Sequence, residues 1–320
     1  MSLMLKQNVS LKDYSNYKIG GNAAYFFEVF SKDDLIKGLK NWYEISLDFP
    51  VNKKEIFVLG SGTNVLFSDD GFYGLVIKNS INFISIQNNI ITVGAGEELS
   101  SLLDYCVKNS LSGLEWAGGL PGTVGGAVRG NAGAFGGETK DNLLEVKSLN
   151  LKTFKTVKRN NKNCELSYRN SIFKSKATDE IIISAVFNLK NADKEEIEGK
   201  TQEKIEYRKA KHPLEYPNIG SIFKNVPIEK FLDTQMKDLS QYIKNDPFPL
   251  VPAAKLIFLT GLKGERVGDV VVSDKHTNFI VNMGEGKASE VKRLIGFIKD
   301  RVKEKFGIEL EEEIMYAGSA

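Results

Sequence analysis

Two glycine-rich stretches of this 320-residue chain are the residues best suited to grip a ligand with backbone alone. The first, Gly60-Ser61-Gly62-Thr63-Asn64, directly follows the apolar run Ile56 to Leu59. Glycine there lets backbone N–H groups converge on an anion with no Cβ in the way, so a phosphate cradle and a plain tight turn are both open readings. It is not a P-loop, because no Lys-Ser/Thr pair follows, and the third glycine of a dinucleotide fingerprint would fall at Val65. The second stretch is denser, with ten of the 29 glycines between Gly113 and Gly137. Gly118-Gly119-Leu120-Pro121-Gly122-Thr123-Val124-Gly125-Gly126-Ala127, then Asn131-Ala132-Gly133-Ala134-Phe135-Gly136-Gly137, interleave glycine with small apolar residues and lack the serines of a flexible linker. Such a composition is expected to form neither a stable helix nor a stable strand. It suits backbone wrapped around a flat ring system and a diphosphate.

Three further places set reactive side chains beside turns. Arg169, in Tyr168-Arg169-Asn170-Ser171 before Ile172-Phe173, is either a solvent-facing cation or a fixed anion clamp. Ser221 follows Gly220 and, taken alone, reads as an ordinary turn serine. A last strand is expected from Ile308 to about Tyr316; its period of two puts Glu309, Glu311, Glu313 and Met315 on one face, which by default is wet. The two histidines, His212 and His276, lie beyond the glycine-rich half and read as hydrogen-bonded structural residues. Cys106 falls on the apolar side of a helical pattern and reads as a buried thiol. Two Cys and two His in unrelated segments are too few for a zinc site, so no metal is expected.

The elements that must position these residues follow from periodicity. Ser31 with Asp33 and Asp34 reads as a helix start, continued by Leu35, Ile36, Leu39, Trp42 and Tyr43. Strands are expected at Ile56 to Leu59, Leu75 to Ile77, Ile90 to Val93, Val146 to Leu151 and Ile181 to Leu189. Leu99, Leu102, Leu103, Cys106 and Val107 outline an amphipathic helix ending near Asn109 or Ser110. From about Asn191 to Lys211 a Lys- and Glu-rich run predicts a solvated helix joining two domains, 1–190 and 191–320, the first split near 78 into two subdomains. Further strands are expected at Val270 to Val272 and Phe279 to Val281, then a helix with Val291, Leu294, Ile295, Ile298 and Val302 on one face, stopped by Gly307. Net charge is only +2 with both signs interspersed, which speaks against a nucleic-acid surface. With neither a membrane-length apolar run nor a signal-like Met1 to Ser10, a cytoplasmic protein is expected.

Taken in order, these pieces resemble one family across nearly the whole chain, the UDP-N-acetylenolpyruvoylglucosamine reductases, also called UDP-N-acetylmuramate dehydrogenases. The likeness rests on Leu59 to Leu66, Gly118 to Gly126 with Asn131 to Ala134, Tyr168 to Phe173, and Arg208 with Lys211 and Pro213. It continues through Asn218 to Asn225, Gly261 to Gly264, Ser273 to His276 with Phe279 to Asn282, and Phe306 to Glu313. The stretch between Arg169 and Ser221 is short, as in the branch lacking an inserted loop whose tyrosine closes over the substrate. Glu312 stands where a proline is common and Met315 where an arginine is common; Val226 to Val251 matches poorly and receives no assignment.

The resemblance implies an α+β chain: a two-subdomain FAD-binding fold of the vanillyl-alcohol oxidase type followed by a smaller α/β substrate-binding domain. It implies non-covalent FAD held by Gly60, Ser61, Gly62, Thr63, Asn64, Gly118, Gly119, Pro121, Gly122, Thr123, Gly125, Gly126, Ala127, Asn131, Ala132 and Gly133. NADPH is the implied reductant and UDP-N-acetylglucosamine enolpyruvate the substrate, touched by Lys211 and Asn225, in a monomeric enzyme of peptidoglycan precursor synthesis. Arg169 matches the family's active-site arginine, Ser221 its proton donor and Glu313 its catalytic glutamate. A different flavoenzyme on the same fold, or a nucleotide-binding module without turnover, are the other readings. Neither glycine stretch contains histidine, so a histidyl–flavin link there is excluded. The protein should therefore purify yellow, and heat or acid should leave free flavin in the supernatant after the chain is spun down. Flavin that pellets with the denatured chain would contradict non-covalent binding.

Overall fold

The computed structural model describes residues 5–232 and 238–318, and its contacts divide the chain into two compact units, neither of them one contiguous tract. One unit comprises the chain up to Val9, Ala23–Ser61 and Tyr73–Tyr207; the other comprises Ser10–Asn22, Gly62–Phe72 and the chain from Arg208 onward. Among the described residues no helix is long and apolar enough to cross a membrane.

The first unit is built on two sheets. In the four-stranded sheet the order is Lys6–Ser10, Asn22–Val29, Phe72–Asn79, Ile56–Leu59, the last two running parallel. The helix Lys32–Ile45 begins as the sequence predicts: the Ser31 hydroxyl accepts the Asp34 N–H at 3.0 Å, and Asp33 and Asp34 occupy the positive first turn. Its Leu35, Leu39 and Trp42 are buried in one cluster with Phe27, Val29, Leu75 and Ile77. The second sheet is antiparallel, in the order Thr156–Asn160, Leu143–Asn150, Glu180–Asn188, Ile90–Gly94, Ile84–Gln87. The helix Leu99–Lys108 adds Leu99, Leu102, Leu103 and Cys106 to a second cluster with Ile91, Val93, Val146 and Phe187. Burial pushes the Cys106 thiol up to about 12, so it is an inert packing group.

The glycine-dense stretch departs from expectation, because it contains the helix Val124–Gly130. Tertiary packing overrides propensity there: Val124, Ala127 and Val128 are buried, the Thr123 hydroxyl accepts the Gly126 N–H, and Asn131 ends the helix in a left-handed conformation. The helix Lys194–Lys211 is present as predicted but is not wholly solvated, since Ile197 and Thr201 are buried.

In the second unit, three antiparallel strands in the order Arg266–Val267, Val270–Val272, Ile280–Asn282 accompany the helix Ala288–Phe306. Val291, Leu294, Ile295, Ile298 and Val302 point from that helix into a core that also takes Tyr17, Ile19 and Leu66 from the two early segments. Gly307 ends the helix at φ +64°, as its position predicts. The unassigned stretch Val226 to Val251 holds the small strands Val226–Pro227, Lys244–Asn245 and Pro249–Val251; residues 233–237 of it lie outside the described residues. The last strand is shorter than predicted and spans only Met315–Ala317, parallel to Val65–Phe67. Alternation does hold through Ile308, Glu309, Leu310 and Glu311, but the segment then makes one bridge, Glu312 to Phe223, before bending at Ile314.

Asp69 carries the N-terminus of the long helix, accepting the N–H of Ala288 at 2.6 Å and of Ser289 at 2.9 Å. Burial alone would raise its pKa, yet these two N–H bonds hold the carboxyl below the usual carboxylate range. Replacing a capping carboxylate costs about 1–2 kcal/mol, so Asp69→Ala should lower the unfolding free energy by that amount at neutral pH, read as a lower urea midpoint at unchanged slope. The folded pKa is the lower one, so the contribution is complete above the ordinary carboxylate range and fades as pH falls through the depressed value. Urea titrations of both proteins at neutral pH and near pH 2 check this; a gap of equal size at both would rule the carboxylate out.

Candidate active site

The glycines of the first unit sort into two kinds. Some permit close passage of chain: a Cβ at Gly60 would stand 2.6 Å from the Thr123 hydroxyl, one at Gly118 2.5 Å from the Thr201 carbonyl, and one at Gly125 2.9 Å from the Ala95 carbonyl. Others face open space. A Cβ at Gly126 would meet nothing nearer than the Thr123 hydroxyl at 3.5 Å, and one at Gly130, a turn later, would meet nothing within 4 Å. Gly119, Pro121 and Gly126 are exposed. The sequence thus leaves a stretch of backbone bare of side chains, braided to its neighbours by bonds from Leu99 N–H to the Gly122 carbonyl and from Gly125 N–H to the Ala95 carbonyl. A flat cofactor with a diphosphate fits such a surface, and Gly119, Pro121, Gly122 and Gly126 are the residues that would hold it.

Two side chains not singled out in the sequence shape the same loops. Lys78 donates to the Gly60 carbonyl at 2.9 Å, and Glu98 accepts the Ser61 hydroxyl. Burial pulls the Lys78 ammonium below the ordinary lysine value, against the opposing pull of Glu98 and Glu28. The available signal was a lone lysine closing the apolar run Leu75-Val76-Ile77.

Arg169 sits in a turn closed by paired bonds between Ser167 and Asn170, at φ +54°, a conformation unusual for a residue with a side chain. Its guanidinium donates to the Gly133 carbonyl at 3.0 Å and lies 5.3 Å from the centre of the Tyr168 ring. The amide of Asn131 anchors this turn, donating to the Ser167 carbonyl at 3.0 Å while accepting the Lys140 N–H. Asn131 and Gly133, read from sequence as cofactor contacts, thus stand beside the arginine, and Ala132 N–H donates to the Ala127 carbonyl between them.

In the second unit, Gly62 permits a close approach at φ +67°, where a Cβ would fall 2.0 Å from the Tyr14 carbonyl. Next to Thr63, Asn64 donates its amide to the Glu313 carbonyl at 3.2 Å and accepts the Met315 N–H on its own carbonyl at 3.0 Å. Glu313 in turn donates its N–H to the Ile222 carbonyl at 2.8 Å, and Lys224 N–H donates to the Glu311 carbonyl at 2.8 Å. The segments bearing Ser221 and Glu313 therefore lie side by side as extended chain. Both residues are half-buried, while Glu312 pairs with Lys299 at 2.9 Å. Asn225 accepts the Ala253 N–H, and Lys211 is exposed at the end of its helix. His212, His276 and Phe279 stack together, and burial lowers both histidines to about 4, first through desolvation and then through neighbouring positive groups. Each is neutral near pH 7; the expectation of a hydrogen-bonded ring does not hold for His276, whose buried Nδ1 has no partner among the described residues.

Residues 47–153 match the family model of the FAD binding domain, the tract that carries the bare glycine backbone, and this places the protein among the flavoproteins. Residues 212–317 match a second model, the UDP-N-acetylenolpyruvoylglucosamine reductase C-terminal domain. The chain is 36% identical over 315 residues to the UDP-N-acetylenolpyruvoylglucosamine reductase of Clostridium novyi, covering 98% of this chain and 92% of the relative. It is 38% identical over 311 residues to that of Caldicellulosiruptor bescii, covering 96% and 89%. A crystal structure of UDP-N-acetylenolpyruvylglucosamine reductase from Thermus caldophilus superposes with a TM-score of 0.75 at 30% identity, covering 98% of this chain and 99% of that one. The chain belongs to the UDP-N-acetylenolpyruvoylglucosamine reductase family. The α+β class and the FAD-binding fold expected from its sequence both stand.

Arg169→Lys keeps the charge but loses the planar fork that pairs both oxygens of a carboxylate. Turnover should fall by about 100-fold, the scale of a misplaced reacting group, while the ratio of bound flavin to protein stays near one. Steady-state rates measured beside the flavin spectrum test this, and a near-normal rate would remove Arg169 from the clamp role.

Proposed function

We propose that this chain reduces UDP-N-acetylglucosamine enolpyruvate to UDP-N-acetylmuramate, with FAD as its bound cofactor and NADPH as reductant, in peptidoglycan precursor synthesis. The relatives' shared name supports the reaction, and the bare glycine backbone supports the cofactor. The observation that carries the assignment of residues is the bond from Glu313 N–H to the Ile222 carbonyl, which lays a serine and a glutamate on adjacent extended segments.

When bound, FAD supplies the hydride that the enolpyruvyl carbon receives and that NADPH replaces. The protein must stabilise the negative charge that then spreads over the neighbouring carbon and the carboxylate, and preorganised charge does this with the least reorganisation. The Arg169 guanidinium is suited to pair the carboxylate, since a fixed turn and the Gly133 carbonyl already orient its fork. Ser221 donates the proton to carbon through its hydroxyl. Glu313 holds the developing acid form by a hydrogen bond. Lys211 and Asn225 bind the substrate in this proposal, Lys211 through a charge that sits exposed at the end of its helix.

Ser221→Ala should separate the two half-reactions. Flavin reduction by NADPH needs no proton on carbon and should run near the parent rate. Reoxidation by the enolpyruvyl UDP-sugar should slow by about 10²- to 10⁴-fold, the worth of a positioned general acid. Ser221→Cys should recover part of the loss. Stopped-flow spectra of each step decide the matter: equal slowing of both would make Ser221 a flavin-site residue, and slowing of neither would make it a plain turn.

A further inference from the structure

The hydroxyl of Ser221 can serve carbon only if the short extended segment that follows it is held still, and the second unit holds that segment from both edges. On one edge lie the bonds from Glu313 N–H to the Ile222 carbonyl and from Lys224 N–H to the Glu311 carbonyl. On the other stands Asn278, only 3% exposed. Its side-chain carbonyl accepts the Phe223 N–H at 3.0 Å, its amide donates to the Phe223 carbonyl at 2.8 Å, and its backbone carbonyl accepts the Ile222 N–H at 2.9 Å. One side chain thus satisfies both backbone groups of Phe223, and both of its own polar atoms are engaged in doing so.

Asn278 is itself fixed. The neighbouring Thr277 hydroxyl donates to the Ala254 carbonyl, and Ser273 closes the same loop through the N–H groups of Lys275 and His276. On the other side of Ser221, Asn218 accepts the Gly220 N–H at 3.0 Å and donates to the carbonyls of Pro213 and Tyr216. Gly220 lies at φ +81°, with nothing within 4 Å of where a Cβ would be. The serine therefore stands between two anchors, Asn218 on the Gly220 N–H before it and Asn278 on Phe223 after it.

We propose that Asn278 is a positioning residue that acts on proton delivery through Ser221; this rests on Ser221 being the proton donor. A buried amide that bonds both the N–H and the carbonyl of one residue ties down the two peptide units flanking it, fixing rotation of the segment as well as its distance, which a single hydrogen bond does not. Its removal should leave the segment paired to Glu311 and Glu313 but free to swing by a fraction of an ångström, a displacement that in a positioned reaction is worth up to about 100-fold in rate.

The test uses the flavin-loaded full chain with Asn278→Ala and, as the gentler change, Asn278→Asp, which keeps size and one acceptor but loses the donor to the Phe223 carbonyl. Reduction by NADPH should run near the parent rate in both. Reoxidation by the enolpyruvyl UDP-sugar should slow by about 10- to 100-fold, with a larger solvent deuterium isotope effect than in the parent. Each change is then combined with Ser221→Ala. A residue acting through the serine hydroxyl has little left to act on once that hydroxyl is gone, so the double variants should match Ser221→Ala alone. Losses that simply multiply would overturn the proposal, as would equal slowing of both half-reactions, unchanged reoxidation, or failure of both variants to retain flavin. If Ser221→Ala alone leaves reoxidation intact, the reading of Ser221 as donor fails first and this proposal with it. If Ser221→Ala slows reoxidation and the Asn278 variants do not, only the present proposal fails.

Discussion

Much of the second unit depends on one residue bonding across most of the chain's length. Asn64 offers its amide to the Glu313 carbonyl and its own carbonyl to the Met315 N–H, across 249 and more positions of sequence. From there the strand Val65–Phe67 runs parallel to Met315–Ala317 and brings Leu66 into the core. The ladder is only three residues long, and the Asn64 side chain extends it by one bond beyond its end. The bond also explains why an asparagine ends the glycine loop. The side chain is needed only as a donor, since the Met315 N–H is accepted by the backbone carbonyl of Asn64, and a side-chain amide gives that donor a short reach.

The same economy recurs wherever backbone must be held without regular sheet. Asn131 anchors the Arg169 turn, Asn218 the approach to Gly220, Asn278 the Phe223 peptide, and Asn282 donates to the Tyr17 carbonyl. Each bonds main-chain groups that would otherwise be buried without partners, at a penalty of about 1–3 kcal/mol apiece. The side chains proposed to do the chemistry thus sit on irregular backbone held by amides. Burial also shifts three titratable groups to which no chemistry is assigned, raising the Cys106 thiol and lowering His212 and His276.

Periodicity made the long elements legible: the start of the helix at Ser31, its buried face at Leu35, Leu39 and Trp42, and the stop at Gly307 all follow from local rules. It failed where packing decides. The helix Val124–Gly130 exists because Val124, Ala127 and Val128 are buried, a circumstance that helix propensity cannot see. The strand Thr156–Asn160 escaped notice because its TVKRN sequence alternates without a strongly apolar face. Glycine density marked the stretch but did not say which glycines face open space and which face neighbouring chain; only the space around Gly126 compared with Gly118 and Gly125 separates them. For Arg169, Ser221 and Glu313 the residue types alone pointed to nothing beyond turns and a wet face. The roles proposed for them rest on likeness to a family, because much of what holds them is remote in sequence.

The discontinuity of the second unit bears on how the chain acquires its structure. Tyr17, Ile19 and Leu66 belong to a core whose other members begin at Ile219 and extend to Ile314. A ribosome delivers those three side chains long before anything exists to cover them. Closing loops of this length is entropically slow, and the contacts that reward closure come last. Ser10–Asn22 and Gly62–Phe72 must therefore wait with Tyr17, Ile19 and Leu66 uncovered until the rest of their core is made. The last strand, Met315–Ala317, is then the latch on the second unit, so premature termination of translation would leave Val65–Phe67 as an open edge, the kind of surface through which chains aggregate.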